Sequence, residues 1–555
     1  MNTLLRPTRG RHCAFAGASL DQRTSRRATR YAIVAAVMAL SGSSAQPRAA
    51  QETFDLLVRG GTVVDGTGAP GRVADVGIRR GQIAAVGMLA GATATTVIDA
   101  TGQIVAPGFI DVHTHADDLA EHPAAEHFAR MGVTTVIAGN CGGSPVDVKA
   151  AFTKIRATGA AINFASFVGH NSVREAVMGT ARRAPTAAEL AKMEALVAAA
   201  MADGAVGFST GLQYVPGTYA AKDEIVALAK VAAKSGGVYA SHMRNEGTEI
   251  ESAVAEALAI GEEAHIAVEI SHLKIDAPSR WGASAKALAM IDAARARGMV
   301  VLADQYLYDA ASSNLGIRFP SWALEGGQPA IVKRLDDAAT WANIKAEMGK
   351  LIRERGLENY SFARIANYPA DPTLNGLTIP EVAQKLKGGR DLDRQFETMR
   401  LMLRAGGASM VYQFMAEDDI TRILRHPMVA IASDSGLNVM GRGVPHPRGY
   451  GNTVRVLGRY VRELHVISLE EAVRKMTSLP ADQFGFADRG RIATGTAADL
   501  VIFDAATVSD KATYDNPHQY PEGLNYVLVN GVTVVDRGAQ TSARPGRILT
   551  RQYPL

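Results

Sequence analysis

The sequence predicts an α/β fold: a (β/α)8 barrel of the TIM type, joined to a small β-sandwich built from both ends of the chain. Three observations carry this expectation. Short apolar strands alternate with alanine-rich helical stretches through the middle of the chain. Most of the strand candidates end on a polar, ligand-capable residue, as a barrel with chemistry at its C-terminal face requires. A third texture, short strands joined by glycine turns, occurs near both ends.

Taken in chain order, residues 1–50 read as a cleavable signal segment with an arginine-rich start. An apolar run, Tyr31-Ala-Ile-Val-Ala-Ala-Val-Met-Ala-Leu40, follows, with small residues through Ala45 and Ala50. That run is too short for a bilayer span of ~20 residues. Ser25-Arg26-Arg27 resembles a twin-arginine export signal, and the expectation is an exported, periplasmic or secreted protein.

Residues 51–105 hold the strands Phe54-Asp-Leu-Leu-Val, Thr62-Val-Val-Asp, Asp75-Val-Gly-Ile, Gln82-Ile-Ala-Ala-Val and Thr96-Val-Ile-Asp. Residues 490–555 return to that pattern in Asp499-Leu-Val-Ile-Phe503 and in Tyr526–Val535, so 51–105 and 490–555 together are expected to form the sandwich. The barrel is assigned to 106–489. Its eight strands end near His115, Cys141, His170, Thr210, His242, His272, Asp304 and Asp434, with helices expected over Ala187–Ala202, Lys222–Ser235 and Thr248–Ala264. Residues 310–425, long, charged and mostly helical in pattern, read as a lid inserted between strands seven and eight. A doubly wound open sheet is the rival architecture, but no glycine-rich phosphate fingerprint follows the first strand.

Composition narrows the function classes. The 555 residues carry a formal charge of +4, yet residues 1–50 hold eight arginines against the single acid Asp21. The remainder has 51 Lys and Arg against 54 Asp and Glu, so no nucleic-acid partner is indicated. Removal of the signal would take Cys13 with it and leave Cys141 as a lone thiol, without an internal disulfide. No second apolar segment is long enough to span a membrane.

The strongest chemical signal is Pro107-Gly108-Phe-Ile-Asp-Val-His113-Thr-His115. Alternation along a strand puts both imidazoles on one face at the barrel mouth, where they can share a metal. Asn140-Cys141-Gly142, Ser241-His242, Ser271-His272 and Ser433-Asp434 end four further strands. Singly, each has a plain reading: a small buried hydrophobe, two core histidines, a helix cap. Six ligand types at the strand ends of one barrel point instead to a metal centre. Gly169-His170-Asn171 is open between a site-lining and a structural histidine.

At this point the sequence resembles the N-acyl-D-amino-acid deacylase (D-aminoacylase) branch of the amidohydrolase superfamily. The resemblance runs over nearly all of residues 53–550. It includes Asp55-Leu-Leu-Val-Arg-Gly-Gly, Gly139-Asn-Cys-Gly, Ser209-Thr-Gly-Leu-Gln-Tyr-Val-Pro-Gly217 and Ser241-His-Met-Arg-Asn-Glu246. Pro445-His-Pro-Arg448-Gly-Tyr-Gly, Glu471–Pro480 and Arg544-Pro-Gly-Arg547 extend it. The resemblance implies a zinc held tightly by Cys141, His242 and His272, and a second, weaker site at His113, His115 and Asp434. It also implies capture of a substrate carboxylate by Tyr214, Lys274 and Arg448, with Ser312 or Ser313 nearby. Thiolate and imidazole suit zinc, and Asp434 is the candidate that takes a proton from water and returns it to the leaving nitrogen.

Two departures from the family pattern touch substrate identity: Tyr306-Leu-Tyr308 after strand seven, and Ser435-Gly436 after Asp434. The expected activity is therefore deacylation of an N-acyl-D-amino acid. A cyclic amidase or other amide or lactone hydrolase on the same scaffold stands as the alternative, and a non-catalytic secreted metal- or solute-binding protein as a third reading. No Gly-x-Ser-x-Gly elbow marks an esterase. The oligomeric state is not readable from the sequence.

Overall fold

The computed structural model describes residues 53–552, and the expected signal segment lies outside those residues. Its first element is a strand, Thr53–Val63, whose inward residues Leu56, Val58 and Val63 are buried. The sequence pattern suggests two strands here. The structure makes them one, because a bulge between Val58 and Gly61 absorbs the extra residues. Gly60 sits at φ +70, and a Cβ on Gly61 would lie 2.5 Å from the Val105 side chain.

This strand pairs antiparallel with Arg72–Arg79 and parallel with Thr93–Asp99 and Ile104–Pro107. Ile104–Pro107 then pairs antiparallel with Leu500–Phe503, which leads to Leu524–Val529 and Val532–Asp536. The two ends of the described chain thus make one nine-stranded sheet. It folds around Leu56, Val58, Val76, Ile78, Leu500, Ile502 and Leu528, each contributing roughly 1.5–3 kcal/mol through burial.

Gly108 carries the chain from this sheet into the barrel. A side chain there would collide with Thr134, 2.2 Å from its hydroxyl oxygen, so the two layers meet at a glycine. The barrel strands are Phe109–Asp111, Val133–Ala138, Asn163–Ser166 continued by Val168–Gly169, Gly207–Gly211, Val238–His242, Ala267–Ile270, Val301–Gln305 and Val429–Ile431. Neighbours pair in parallel throughout. The third strand breaks at Phe167, whose N–H still reaches Ala138 O at 2.9 Å. The ring closes where Ser435 pairs with Thr114 and Asp434 N–H donates to His113 O at 2.8 Å.

Ile110, Val112, Ile137, Ala165, Val206, Ala240, Leu302 and Ala430 fill the barrel interior. Phe484, Phe486 and Leu549 close the end where the strands begin: Leu549 N–H bonds Phe164 O, and the Gln483 amide bonds Val268 O. The expected helix Ala187–Ala202 forms over that span, started by a capping box between Thr186 and Glu189. The other two are shorter than expected, Lys222–Ala233 and Ile250–Ala264.

The inserted lobe differs from expectation in two ways. Its last helix, Glu417–Arg425, packs on Ser284–Ala296 and leads straight into strand eight, so it belongs to the barrel's helical ring rather than to a lid spanning 310–425. The lobe also carries a three-stranded antiparallel sheet, Ala310–Asn314, Ser409–Gln413 and Ala363–Asn367. The helical periodicity around these strands hides them in sequence, and Ala310-Ala-Ser-Ser-Asn314 has no β-branched or aromatic residue to mark it.

Candidate functional site

The six candidate ligands converge at the C-terminal ends of the strands. Cys141 follows strand two, and its Sγ lies 3.3 Å from His113 Nε2, 3.5 Å from His242 Nδ1 and 3.5 Å from His272 Nε2. His242 Nδ1 and His272 Nε2 are 2.8 Å apart. Asp434 Oδ1 sits 3.2 Å from His115 Nε2 and 3.6 Å from His113 Nε2. The two triads expected from the sequence therefore form one continuous cluster, with Cys141 touching three imidazoles.

The chain bends sharply to deliver these groups. Cys141, His272 and Asp434 all have left-handed backbone, at φ +53, +35 and +51. Such conformations cost a non-glycine residue about 1–3 kcal/mol each and persist where the surroundings impose them.

Neighbours orient the cluster. Asp304 Oδ2 lies 3.2 Å from His113 Nδ1, turning Nε2 towards Cys141. Glu246 Oε1 is 2.8 Å from His272 Nδ1 and 2.8 Å from Lys274 Nζ. Gln213 Oε1 accepts at 3.1 Å from His242 Nε2. Arg448 Nη1 donates to Asp434 Oδ2 at 2.9 Å, and its guanidinium lies 4.4 Å over the Tyr306 ring.

Burial alone would raise the Cys141 thiol, but the fields of His113, His242 and His272 outweigh it and hold the thiol well below its ordinary range. For Asp434, burial again pushes upward, and Arg448 and His113 more than reverse it. Burial opposes charge on His115 as well, yet Asp434 and Cys141 raise it to about 10.

This donor set fits zinc. The Cys141 separations match the ~3.5 Å edge of a tetrahedron built from zinc–sulfur and zinc–nitrogen bonds of roughly 2.3 and 2.0–2.1 Å. One thiolate with imidazoles is also the ligand chemistry zinc prefers.

The candidate substrate contacts lie around the same mouth. Tyr214 O–H is 3.1 Å from Ser313 Oγ, and its ring centroid is 4.5 Å from that of His242. Ser312 lines a cavity with Asp434, Lys274 and Tyr214. Lys274 and Arg448 are 7% and 3% exposed, which excludes solvated surface charge as their reading. His170 does not join the site: it is buried at a helix start, with Nε2 2.9 Å from Glu224 Oε1.

Sequence reasoning overlooked Glu246, Gln213 and the part played by Asp304. The i and i+4 spacing of His242 and Glu246 was the available signal for the first.

With this geometry in place, comparison with known proteins is informative. A model of the amidohydrolase family matches residues 96–535. The N-acyl-D-glutamate deacylase of Alcaligenes xylosoxydans xylosoxydans is 40% identical over 530 residues, covering 91% of this chain and 98% of that protein. The D-aminoacylase of the same organism is 39% identical over 536 residues, covering 92% and 99%. A crystal structure of the Bordetella bronchiseptica N-acyl-D-glutamate deacylase, with zinc and a phosphonate mimic of the tetrahedral intermediate, superposes with a TM-score of 0.78. It is 38% identical, and the match covers 90% of this chain and all of that one.

Proposed function

This chain belongs to the amidohydrolase family, and from that premise we propose that it hydrolyses the amide bond of N-acyl-D-amino acids, giving a carboxylate and a free D-amino acid, with zinc as its cofactor. The observation that carries the reading is one barrel mouth holding a thiolate, four imidazoles and a carboxylate beside two buried cations.

Cys141, His242 and His272 would hold the tightly bound zinc, and His113, His115 and Asp434 the second position. Zinc bound there supplies Lewis acidity towards the amide carbonyl and the attacking water. Asp434 takes a proton from that water and returns it to nitrogen, which departs poorly as an anion. Arg448 on Oδ2 fixes the carboxylate so that Oδ1 faces His113 and His115.

Tyr214, Lys274, Ser312 and Arg448 bind the substrate's α-carboxylate, for which a planar guanidinium offers two parallel hydrogen bonds. Holding that group fixes Cα relative to the metal ligands, so only one hand places its side chain in a cavity. A ring amide without a free carboxylate would leave Lys274 and Arg448 without a ligand, which disfavours the cyclic amidase reading.

The test is a panel of N-acetyl and longer N-acyl amino acids of both hands, assayed with zinc and after chelation. Turnover of D-substrates that chelation stops is expected; cleavage confined to cyclic imides or to L-substrates would overturn the proposal. Export rests on the residue pattern of 1–50, and fractionation of producing cells should place the processed enzyme outside the cytoplasm. Among the described residues, no helix is long and apolar enough to cross a membrane.

A further inference from the structure

One buried cation at the site is left over once the roles above are filled. Arg318 ends the short helix Leu315–Arg318, which continues directly from the lobe strand carrying Ser312 and Ser313. It is 7% exposed and lines the same cavity as Tyr214, Ser312, Lys274, His272 and Asp434.

Its surroundings hold the charge without neutralising it. The guanidinium carbon lies 4.2 Å from the Tyr412 ring centroid, 5.3 Å from that of Phe414 and 5.8 Å from that of Phe362. Aromatic faces stabilise a cation but take no proton and form no ion pair. Its Nε is buried with no hydrogen-bond partner, and its polar contact is with the Tyr412 side chain. The neighbouring carboxylate, Asp276, is already engaged by Arg355 at 2.7 Å. An uncompensated buried guanidinium is expensive in a folded protein, and a ligand carboxylate is the group that relieves the cost.

We infer that Arg318 receives a second carboxylate of the substrate, carried on the amino-acid side chain, so that the preferred substrates are N-acyl derivatives of acidic D-amino acids. Arg318 shares its wall with Tyr214 and Ser313, next to the contacts assigned to the α-carboxylate, and Ala311 pairs across the lobe sheet with Tyr412. A group reaching this wall from Cα is the side chain. The inference rests on the deacylase reading and adds the substrate class to it.

The experiment compares the zinc-loaded enzyme on N-acetyl-D-glutamate, N-acetyl-D-glutamine, N-acetyl-D-methionine and N-succinyl-D-methionine. The glutamate derivative should be turned over best. Arg318→Met should lower its kcat/KM by about 10- to 100-fold, the usual range for a lost charged hydrogen bond, chiefly through KM. The glutamine and methionine derivatives should be unaffected, and Arg318→Lys should recover part of the loss.

An equal fall on every substrate would make Arg318 merely structural and overturn the inference. Preference for a neutral side chain would also overturn it, and preference for the N-succinyl compound would move the second carboxylate to the acyl side and reject the placement argued here. Should Arg318→Met fail to fold, as judged by zinc content and circular dichroism, the wild-type preference between glutamate and glutamine derivatives decides alone. An enzyme inactive on every D-derivative would instead defeat the deacylase reading itself.

Discussion

Two buried polar clusters sit at opposite ends of the barrel, and they are built on different principles. At the seam with the nine-stranded sheet, Asp499 Oδ2 accepts from Asn163 at 3.0 Å and from Arg489, while Oδ1 accepts from the Asn530 N–H at 2.6 Å. Asn530 returns a bond to Asn163 Oδ1 at 2.8 Å and another to Pro545 O. Donors there are matched to acceptors, and the charge of Asp499 is answered by Arg489. At the mouth, by contrast, nitrogen and sulfur atoms that all offer lone pairs point at one another within 2.8–3.5 Å. The seam satisfies itself; the mouth is arranged around something it does not contain. Burial and polarity alone do not separate a structural network from a functional one, but the convergence of unmatched acceptors does.

That contrast can be broken by experiment. The largest effect on turnover should come from Cys141→Ala, measured as zinc content alongside kcat: both should be lost, and retention of stoichiometric zinc with activity would show that the mouth is not a metal centre. Next comes Asp434→Asn, expected to lower kcat by about 10²–10⁴ while tightly bound zinc is kept; a near-normal rate would remove its proton-transfer role. Glu246→Gln, which weakens the orientation of His272, should reduce zinc affinity by roughly 10- to 100-fold in a competition titration with a chelator. At the seam the pattern inverts. Asp499→Ala leaves Arg489 buried without its partner and should destabilise the fold by about 3–5 kcal/mol in denaturant unfolding. The kcat of the fraction that remains folded should be unchanged, and a drop would mean that the two clusters are coupled.

Much of the mouth was legible because its signals are local. The i and i+2 spacing of His113 and His115 follows from strand alternation alone, and Cys141, His242, His272 and Asp434 each announce a strand end. What escaped depends on contacts between distant segments. Asp304 and His113 are 191 positions apart, and nothing in either neighbourhood states that they touch. Arg318, in Leu315-Gly-Ile-Arg, reads as an ordinary solvated charge until strands from residues 363–367 and 409–413 bring aromatic rings around it. The same limit explains the lobe sheet and the single strand Thr53–Val63: pairing partners, not intrinsic preference, decided both.

The pairing of Ile104–Pro107 with Leu500–Phe503 also sets a timetable for biosynthesis. A ribosome adding ~5–20 residues each second needs roughly 20–80 s to cover the intervening stretch of chain. Throughout that interval the first half of the sheet has been made and its partner has not, leaving an unpaired edge and an uncovered apolar face exposed to other nascent chains. The yield of soluble enzyme in a producing cell should therefore follow how long that edge waits, more than how stable the finished molecule is.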